Sequence, residues 1–443
     1  MTTILHNTSL SLVYCIRSLV IQSAKRLLME SPGLSLLQEK FGPLQGMRIL
    51  STGSIVAEPV AAGMAAEMGA EVIHVEKPGP GEDWRHAEFP IESPEGEEIA
   101  SSWVQDRRNT YYTTLDFSVP EGREIFLKLI ERTDIWMESS KAHTYDKWGL
   151  NDAAILEANP SIVICHISGF GQDGDPEYVK RASYDFTAQA FGGMMNLAGN
   201  PDPDPPSRAV PWTADYITAL FCLWSSLAAY IHAQRTGEGQ VIDLAQYEAV
   251  HRILSGTMVA YHELGMVRER AGNKAGNAQP WDTFKAKDGW VVVAAIGPVV
   301  YSRVCRVLGL DPEDPKWVSA RREIESPQGI EFDAILRGWV EERTMKEVET
   351  ILNEAQIGCS RIMNAQEMAQ NSHYNLRNVH VEWEDKQLKK KVKGVGIVPK
   401  FSKTPGKIWR GSVSVGYDNQ SVYGDLLGLA TQDLSDLSSR GVI

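Results

Sequence analysis

The chain has 443 residues, of which 43% are hydrophobic and 23% charged, and its formal net charge is −13. That length allows two or three lobes with sizeable cores, and the composition is that of an ordinary globular protein. The acidic balance argues against general binding to nucleic acid or to anionic membranes, while leaving room for an anionic small ligand if basic residues cluster locally.

Met1 to Glu30 holds Arg17, Lys25 and Arg26, several Ser and Thr, and no acid before Glu30. This composition fits a transit peptide, an amphipathic surface helix, or an extension upstream of a true start at Met29. We treat residues 1–40 as an N-terminal extension and leave them out of the fold reading.

From Gly42 onward strand and helix patterns alternate. Met47–Leu50 reads as a strand, Pro59–Met68 as a helix and Ala70–Glu76 as a β-branched strand, which together make one parallel βαβ unit. Thr114–Asp116 is a short extended piece, Glu121–Glu131 a helix, Asp134–Glu138 a strand, Asn151–Ala158 a helix ending before Pro160, and Ser161–Ile167 an apolar strand closed by Ser168-Gly169-Phe170-Gly171. The regular alternation predicts an α/β lobe with helices on both faces of a sheet.

The texture then changes. Residues 199–211 are rich in Pro and Asp and read as a loop. Thr213 is placed to cap a long helix running to about Gln234. Its apolar run, Ile217–Ala233, is interrupted by Ser225, Ser226 and His232 and is short for a membrane span, so a buried helix is expected. Thr236-Gly237-Glu238-Gly239 ends it, and Val241–Leu244 is a brief strand before a helix from Ala245. Residues 270–359 look α+β, with a strand at Trp290–Ile296 and helices at Val299–Leu308, Phe332–Glu341 and Thr344–Ala355. The lysine-rich run Lys386–Lys393 reads as a solvated basic hairpin.

Chemistry-bearing motifs of wide currency are missing. Gly169-Phe170-Gly171 lacks the third glycine of a dinucleotide fingerprint, and there is no phosphate-binding lysine loop, no GxSxG and no HExxH. The cysteines at 15, 165, 222, 305 and 359 show neither CxxC nor zinc spacing, which fits a reducing, cytoplasmic setting with no metal. Cys165 and Cys222 lie in apolar runs and read as core residues. Pro211-Trp212-Thr213-Ala214-Asp215-Tyr216, however, leads straight into the long helix. An Asp in a first helical turn feels the positive helix end, which favours its carboxylate form. Acids are also common there simply as dipole partners; a carboxylate at a loop–helix junction among aromatic residues can instead act as a nucleophile.

From about Phe41 to Val442 the sequence resembles the class III CoA-transferases, the CaiB–BaiF family. The segments that carry the resemblance are Gly69–Ile73 with Glu76 behind it, Arg108-Asn109, Ser168–Gly174, Ala182–Asp185, Thr236–Gln240, Gly272-Asn273, Asp288–Trp290, Pro399–Phe401 and Ile408–Gly411. Carnitine and bile-acid CoA-transferases look most similar, through Asp134–Trp136, Glu138–Lys141 and Ala245–Glu248.

The resemblance implies a Rossmann-like large domain over 41–235 and 373–443, a linker over 236–269 and a smaller α+β domain over 270–372, with two monomers interlocked as rings. It implies transfer of CoA from an acyl-CoA donor to a small carboxylic acid, with Asp215 as the nucleophile forming an aspartyl anhydride and then an aspartyl-CoA thioester. CoA would be held by Arg108, Asn109, Lys141, Lys147 and Glu76. Trp212, Tyr216 and Tyr184 would line the substrate site. An arginine of the family pattern falls on Trp148, beside Lys147, and glutamate at Glu58 replaces the usual glycine. Relatives that are α-methylacyl-CoA racemases carry a His-Asp pair where this chain has Tyr184-Asp185, and tyrosine is a poor base near neutral pH. The racemase activity and a subunit role in a heteromeric transferase stand as the alternatives.

Overall fold

The computed structural model describes residues 35–37 and 39–443; the expectations for residues 1–30 lie outside them. The chain divides into two compact units. One comprises the residues up to Gly193 with Val210–Ser255 and Asn378–Ile443; the other comprises Met194–Ala209 with Gly256–Arg377.

The first unit is built on a six-stranded parallel sheet. Its strands are β1 (Arg48–Ser51), β2 (Glu71–Glu76), β5 (Tyr111–Thr114), β6 (Ile135–Glu138), β7 (Val163–Ser168) and β8 (Gln240–Ala245), in the order β5-β2-β1-β6-β7-β8. A small antiparallel hairpin, β3 (Pro90–Glu92) and β4 (Glu98–Ala100), is inserted before β5. The order reverses direction between β1 and β6, and the crevice beyond the carboxyl ends of the strands there is where such sheets bind ligands.

β-branched and aromatic residues make the inner strands, because both of their faces are covered. Successive residues point to opposite sides. Ile49, Val72, Met137 and Cys165 join the core under helices α1 (Ala57–Glu67) and α6 (Thr213–Thr236). Leu50, Ile73, Trp136 and Ile164 join the core on the other side, with Phe126 and Leu129 of helix α3 (Pro120–Ile130) and Val422, Tyr423 and Leu434 of the C-terminal segment. Helix α2 (Ser101–Asp106) precedes β5, and helix α4 (Asp152–Ala158) links β6 to β7. Cys165 and Cys222 are fully buried with sulfurs 3.6 Å apart.

Two expectations change here. The stretch expected as a linker over 236–269 supplies β8, which pairs with β7 from Gln240 to Ala245, and then helix α7 (Gln246–Arg252). The helix expected to be buried, α6, packs on β7, β8, α1, α7 and the helix over residues 185–191, but not all round. Just 33% of its most apolar stretch is buried, and by length and composition alone it could cross a membrane. Leu220, Trp224 and Ile231 stand on its exposed face.

The second unit is α+β. Strands β9 (Trp281–Ala286), β10 (Gly289–Ala294) and β11 (Gly358–Arg361) form an antiparallel sheet in the order β11-β10-β9. Helices α8 (Pro298–Val307), α9 (Pro327–Glu341) and α10 (Met345–Glu354) cover it around Phe284, Val291, Val293, Phe332 and Leu352. Helix α9 starts five residues before the expected position because Ser326 caps it, its hydroxyl accepting from Gly329 N at 3.1 Å, with Pro327 in the first turn.

The chain then returns to the first unit. Strands β12 (His380–Asp385) and β13 (Lys390–Val395) form the expected hairpin, in register Glu382–Lys393, Glu384–Lys391 and Asp385–Lys390. The lysine run is therefore matched by acids across the hairpin rather than forming an isolated basic patch.

Candidate active site

Asp215 lies in the first turn of α6 and is 7% exposed. The chain enters that turn through Trp212, held at φ 30°, an unusual conformation for a bulky residue. The Trp212 ring packs edge-on against Trp84 at 5.7 Å. Thr213 does not cap the helix; its hydroxyl points back to Pro211 O at 3.5 Å. The cap comes instead from Asp185, the first residue of helix α5 (Asp185–Phe191). Its Oδ1 accepts from Ala214 N at 2.7 Å and Asp215 N at 3.2 Å, and its Oδ2 accepts from Gln189 Nε2 at 2.8 Å.

Because Asp185 performs the capping, the Asp215 carboxylate is left free of it. Gln246, the first residue of α7, donates from Nε2 to Asp215 Oδ1. The Gln246 amide is oriented in turn by Ser183 Oγ, which lies 3.5 Å from its Oε1. The Asp215 pKa is pushed up to about 7, first by burial and then by the negative charge of Asp185, with the Gln246 hydrogen bond opposing. The positive helix end alone would shift the pKa in the opposite direction; desolvation and a like charge outweigh the dipole. A carboxyl group that titrates near neutrality in a desolvated site is more basic than an ordinary carboxylate and is available as a nucleophile.

The other substrate-site candidates surround this turn unequally. Tyr216 directs its hydroxyl to Asp106 Oδ2 at 3.1 Å, and Trp212 is partly buried against Trp84. Tyr184, next to Asp185, is 69% exposed.

The CoA-site candidates fall into two groups. Lys141 and Lys147 are exposed beyond the carboxyl end of β6, at the reversal of strand order, and neither has an ion pair among the described residues. Around them Ser54 N donates to Ser139 Oγ at 3.1 Å and Tyr145 OH to Thr52 Oγ1 at 2.7 Å, which joins the loops after β1 and β6. Lys147 Nζ sits 4.2 Å from the Trp148 ring centre, and Trp148 itself packs against Phe117 and Tyr145.

Arg108, Asn109 and Glu76 are instead buried with internal partners. Arg108, 2% exposed, binds Glu67 at 2.6 Å and Val395 O at 2.8 Å and stacks on Trp383. Asn109 donates to Lys407 O at 2.7 Å and accepts from Trp409 N at 2.8 Å, pinning the returning C-terminal segment. Glu76 forms a two-point pair with Arg85, at 2.8 and 2.6 Å. Position near a sheet edge does not reveal which way a side chain points.

Glu58 is fully buried in the first turn of α1, accepting from Ser51 Oγ and Gly53 N at 2.9 Å each, and burial pushes its pKa well above the carboxylate range. It thereby ties down the loop after β1.

One group went unnoticed in the sequence. His166 of β7 is held between Glu138 Oε1 at 2.7 Å and Asp152 Oδ1 at 2.8 Å, which raises its pKa to about 10. It borders a pocket shared with His143, Gln172 and Asp243. The apolar character of the strand concealed it. Among the described residues, no three or more His, Cys, Asp or Glu side chains are grouped to hold a metal ion.

Residues 44–419 match the family described as CoA-transferase family III. The chain is 37% identical over 412 residues to the bile acid CoA-transferase BaiK of Clostridium scindens, covering 91% of this chain and 90% of that protein. Among solved structures, a CaiB/BaiF family protein from Brucella suis superposes with a TM-score of 0.76 at 26% identity, over 87% of this chain and all of that one. Rv3272 from Mycobacterium tuberculosis shares the fold, with a TM-score of 0.72 at 21% identity over 86% of this chain and 99% of that one.

Proposed function

The chain belongs to CoA-transferase family III and is a CoA-transferase, and on that premise we propose that Asp215 carries CoA covalently between a donor acyl-CoA and an acceptor carboxylic acid. The Asp215 carboxylate attacks the donor thioester carbonyl, the C–S bond breaks, and CoA thiolate leaves behind a mixed anhydride. The thiolate then attacks the aspartyl carbonyl, releasing the donor acid and leaving an aspartyl-CoA thioester. The acceptor carboxylate displaces the thiolate to give a second anhydride, and the thiolate attacks its acyl carbon, releasing acceptor-CoA and free Asp215. Each step exchanges one leaving group for one nucleophile, so no net proton is consumed. The observation that carries this reading is the state of Asp215: buried, raised to about 7, and relieved of helix capping by Asp185.

Lys141 and Lys147 are the cations we assign to the CoA phosphates, because both are exposed and, among the described residues, without ion pairs at the strand-order reversal. Arg108, Asn109 and Glu76 are committed to the internal partners given above, and we assign them no contact with CoA. For the acceptor we propose a bile acid or a similar broad apolar acid, following the name of the BaiK relative; a carnitine-type acid is the competing class. We also propose an interlocked homodimer in the cytoplasm. Trp224 on α6 is 58% exposed and Leu264 of the second unit 72% exposed, and apolar faces of this kind are what a second copy covers.

The test is intact-mass and peptide mass spectrometry after incubation with a panel of acyl-CoAs, with hydroxylamine or borohydride trapping. An adduct on Asp215 that is lost in Asp215→Ala is expected. Turnover by the Asp215→Ala protein, or α-proton exchange in deuterated water without any adduct, overturns the reading and favours a racemase.

A further inference from the structure

Asp215 has two carboxylate oxygens in different situations. Oδ1 accepts the Gln246 amide, and Oδ2 has no hydrogen-bond donor among the described residues. The Gln246 donor is preset: Ser183 Oγ lies against Oε1, which turns Nε2 toward Asp215, and Gln246 is itself buried at the start of α7.

We propose that Gln246 is a catalytic residue: by holding Asp215 Oδ1 it leaves Oδ2 to attack, and it then stabilises Oδ1 as the oxyanion each time the aspartyl carbonyl is itself attacked. The inference rests on the reading of Asp215 as the nucleophile. Once Oδ2 has bonded to the donor acyl carbon, Oδ1 is the carbonyl oxygen of the aspartyl half of the anhydride. When CoA thiolate adds to Cγ, the C=O electron pair moves onto Oδ1. That pair returns as the Cγ–Oδ2 bond breaks and the donor carboxylate leaves with Oδ2. When the acceptor carboxylate adds to Cγ of the thioester, the charge gathers on the same oxygen and returns as the C–S bond breaks. In both additions the developing charge lies on the atom to which Gln246 already points, so the donor needs no reorganisation. The two remaining additions occur at substrate carbonyls, and Gln246 takes no part in stabilising those oxyanions.

This division of labour separates a catalytic role from a merely structural contact between α6 and α7. The experiment prepares the aspartyl-CoA form of the full-length protein with an acyl-CoA donor, removes free donor, adds acceptor acid, and follows discharge of the adduct by quenched-flow mass spectrometry. For Gln246→Leu, discharge is expected to slow by about 10²–10³-fold, the range for loss of one oxyanion donor, while the KM for acyl-CoA stays within about threefold of the parent, since uniform binding is untouched. Ser183→Ala, which frees the amide without removing it, falls between the two. If Gln246→Leu loses its near-ultraviolet circular dichroism, Gln246→Met, of similar length and uncharged but without the N–H, supplies the same measurement. Discharge within about threefold of the parent in a folded variant overturns the proposal. A parent protein that transfers CoA without any Asp215 adduct overturns the nucleophile reading itself, and this inference with it.

Discussion

Asp185 caps the helix that carries Asp215, reaching across from α5 to accept the Asp215 N–H at 3.2 Å while its charge raises the Asp215 pKa. One side chain thus fixes the position of Asp215 and sets its basicity. Asp185→Asn keeps an oxygen for the two N–H groups but removes the charge. The Asp215 pKa should fall below about 7, moving the acid limb of the kcat–pH profile to lower pH. Asp185→Ala also loses the cap, which typically costs about 1 kcal/mol, and should lower the midpoint of urea unfolding as well.

The raised Asp215 pKa also bears on stability. Its folded value is about 7 against an ordinary 3.8. Between those values the folded state binds more protons than the unfolded chain, so stability falls as pH rises through this window and levels off above it. Asp215→Asn removes the liability. The variant and the parent should have similar melting temperatures near pH 4, and the variant should become progressively more stable up to about pH 7. A gap that stays constant across this range would show that Asp215 is not held in a destabilised ionised state.

His166 gives the opposite case for a base. With a folded pKa near 10 against an ordinary 6.5, its contribution is fully present below about pH 6.5 and is lost as pH rises toward 10. His166→Asn should lower the melting temperature at pH 6 and flatten the decline between pH 7 and 10. Breaking a buried charged contact costs about 3–5 kcal/mol; the loss here should be smaller, because the Asp152 side chain is 44% exposed.

Much of the sheet was legible because its strands are apolar on both faces. β1, β2, β6 and β7 lie within two residues of their expected limits, and the parallel order follows from the helices between them. β9, Trp281-Asp282-Thr283-Phe284-Lys285-Ala286, was not seen because only Phe284 and Ala286 face the core and the rest is polar or exposed. The capping of α6 was hidden for a different reason. The local signal, Thr213, satisfied every rule of position, but the actual cap lies thirty residues away and belongs to tertiary structure. The basic residues show the same limit. Arg108 and Lys141 are indistinguishable as cations near loop ends, yet one is locked to Glu67 and the other has no ion pair among the described residues.

That last contrast separates binding from scaffolding. If Lys141 and Lys147 meet the CoA phosphates, Lys141→Ala and Lys147→Ala should each raise the KM for acyl-CoA by roughly tenfold or more, since a hydrogen bond to a charged group contributes about 1.5–3 kcal/mol. The KM should also lose part of its dependence on salt, because exposed charges are screened. The melting temperature should not move, as neither side chain has an ion pair among the described residues to lose. Arg108→Ala should behave in the reverse way. It leaves Glu67 without its partner and removes the stack on Trp383 that ties the β12–β13 hairpin to α1, so stability should fall by about 3–5 kcal/mol, while the KM of the fraction that folds stays near the parent value. A large KM effect for Arg108→Ala at unchanged stability would mean that the guanidinium leaves Glu67 when CoA binds, and the assignment of the phosphate site would then move from the β6 loop toward α2.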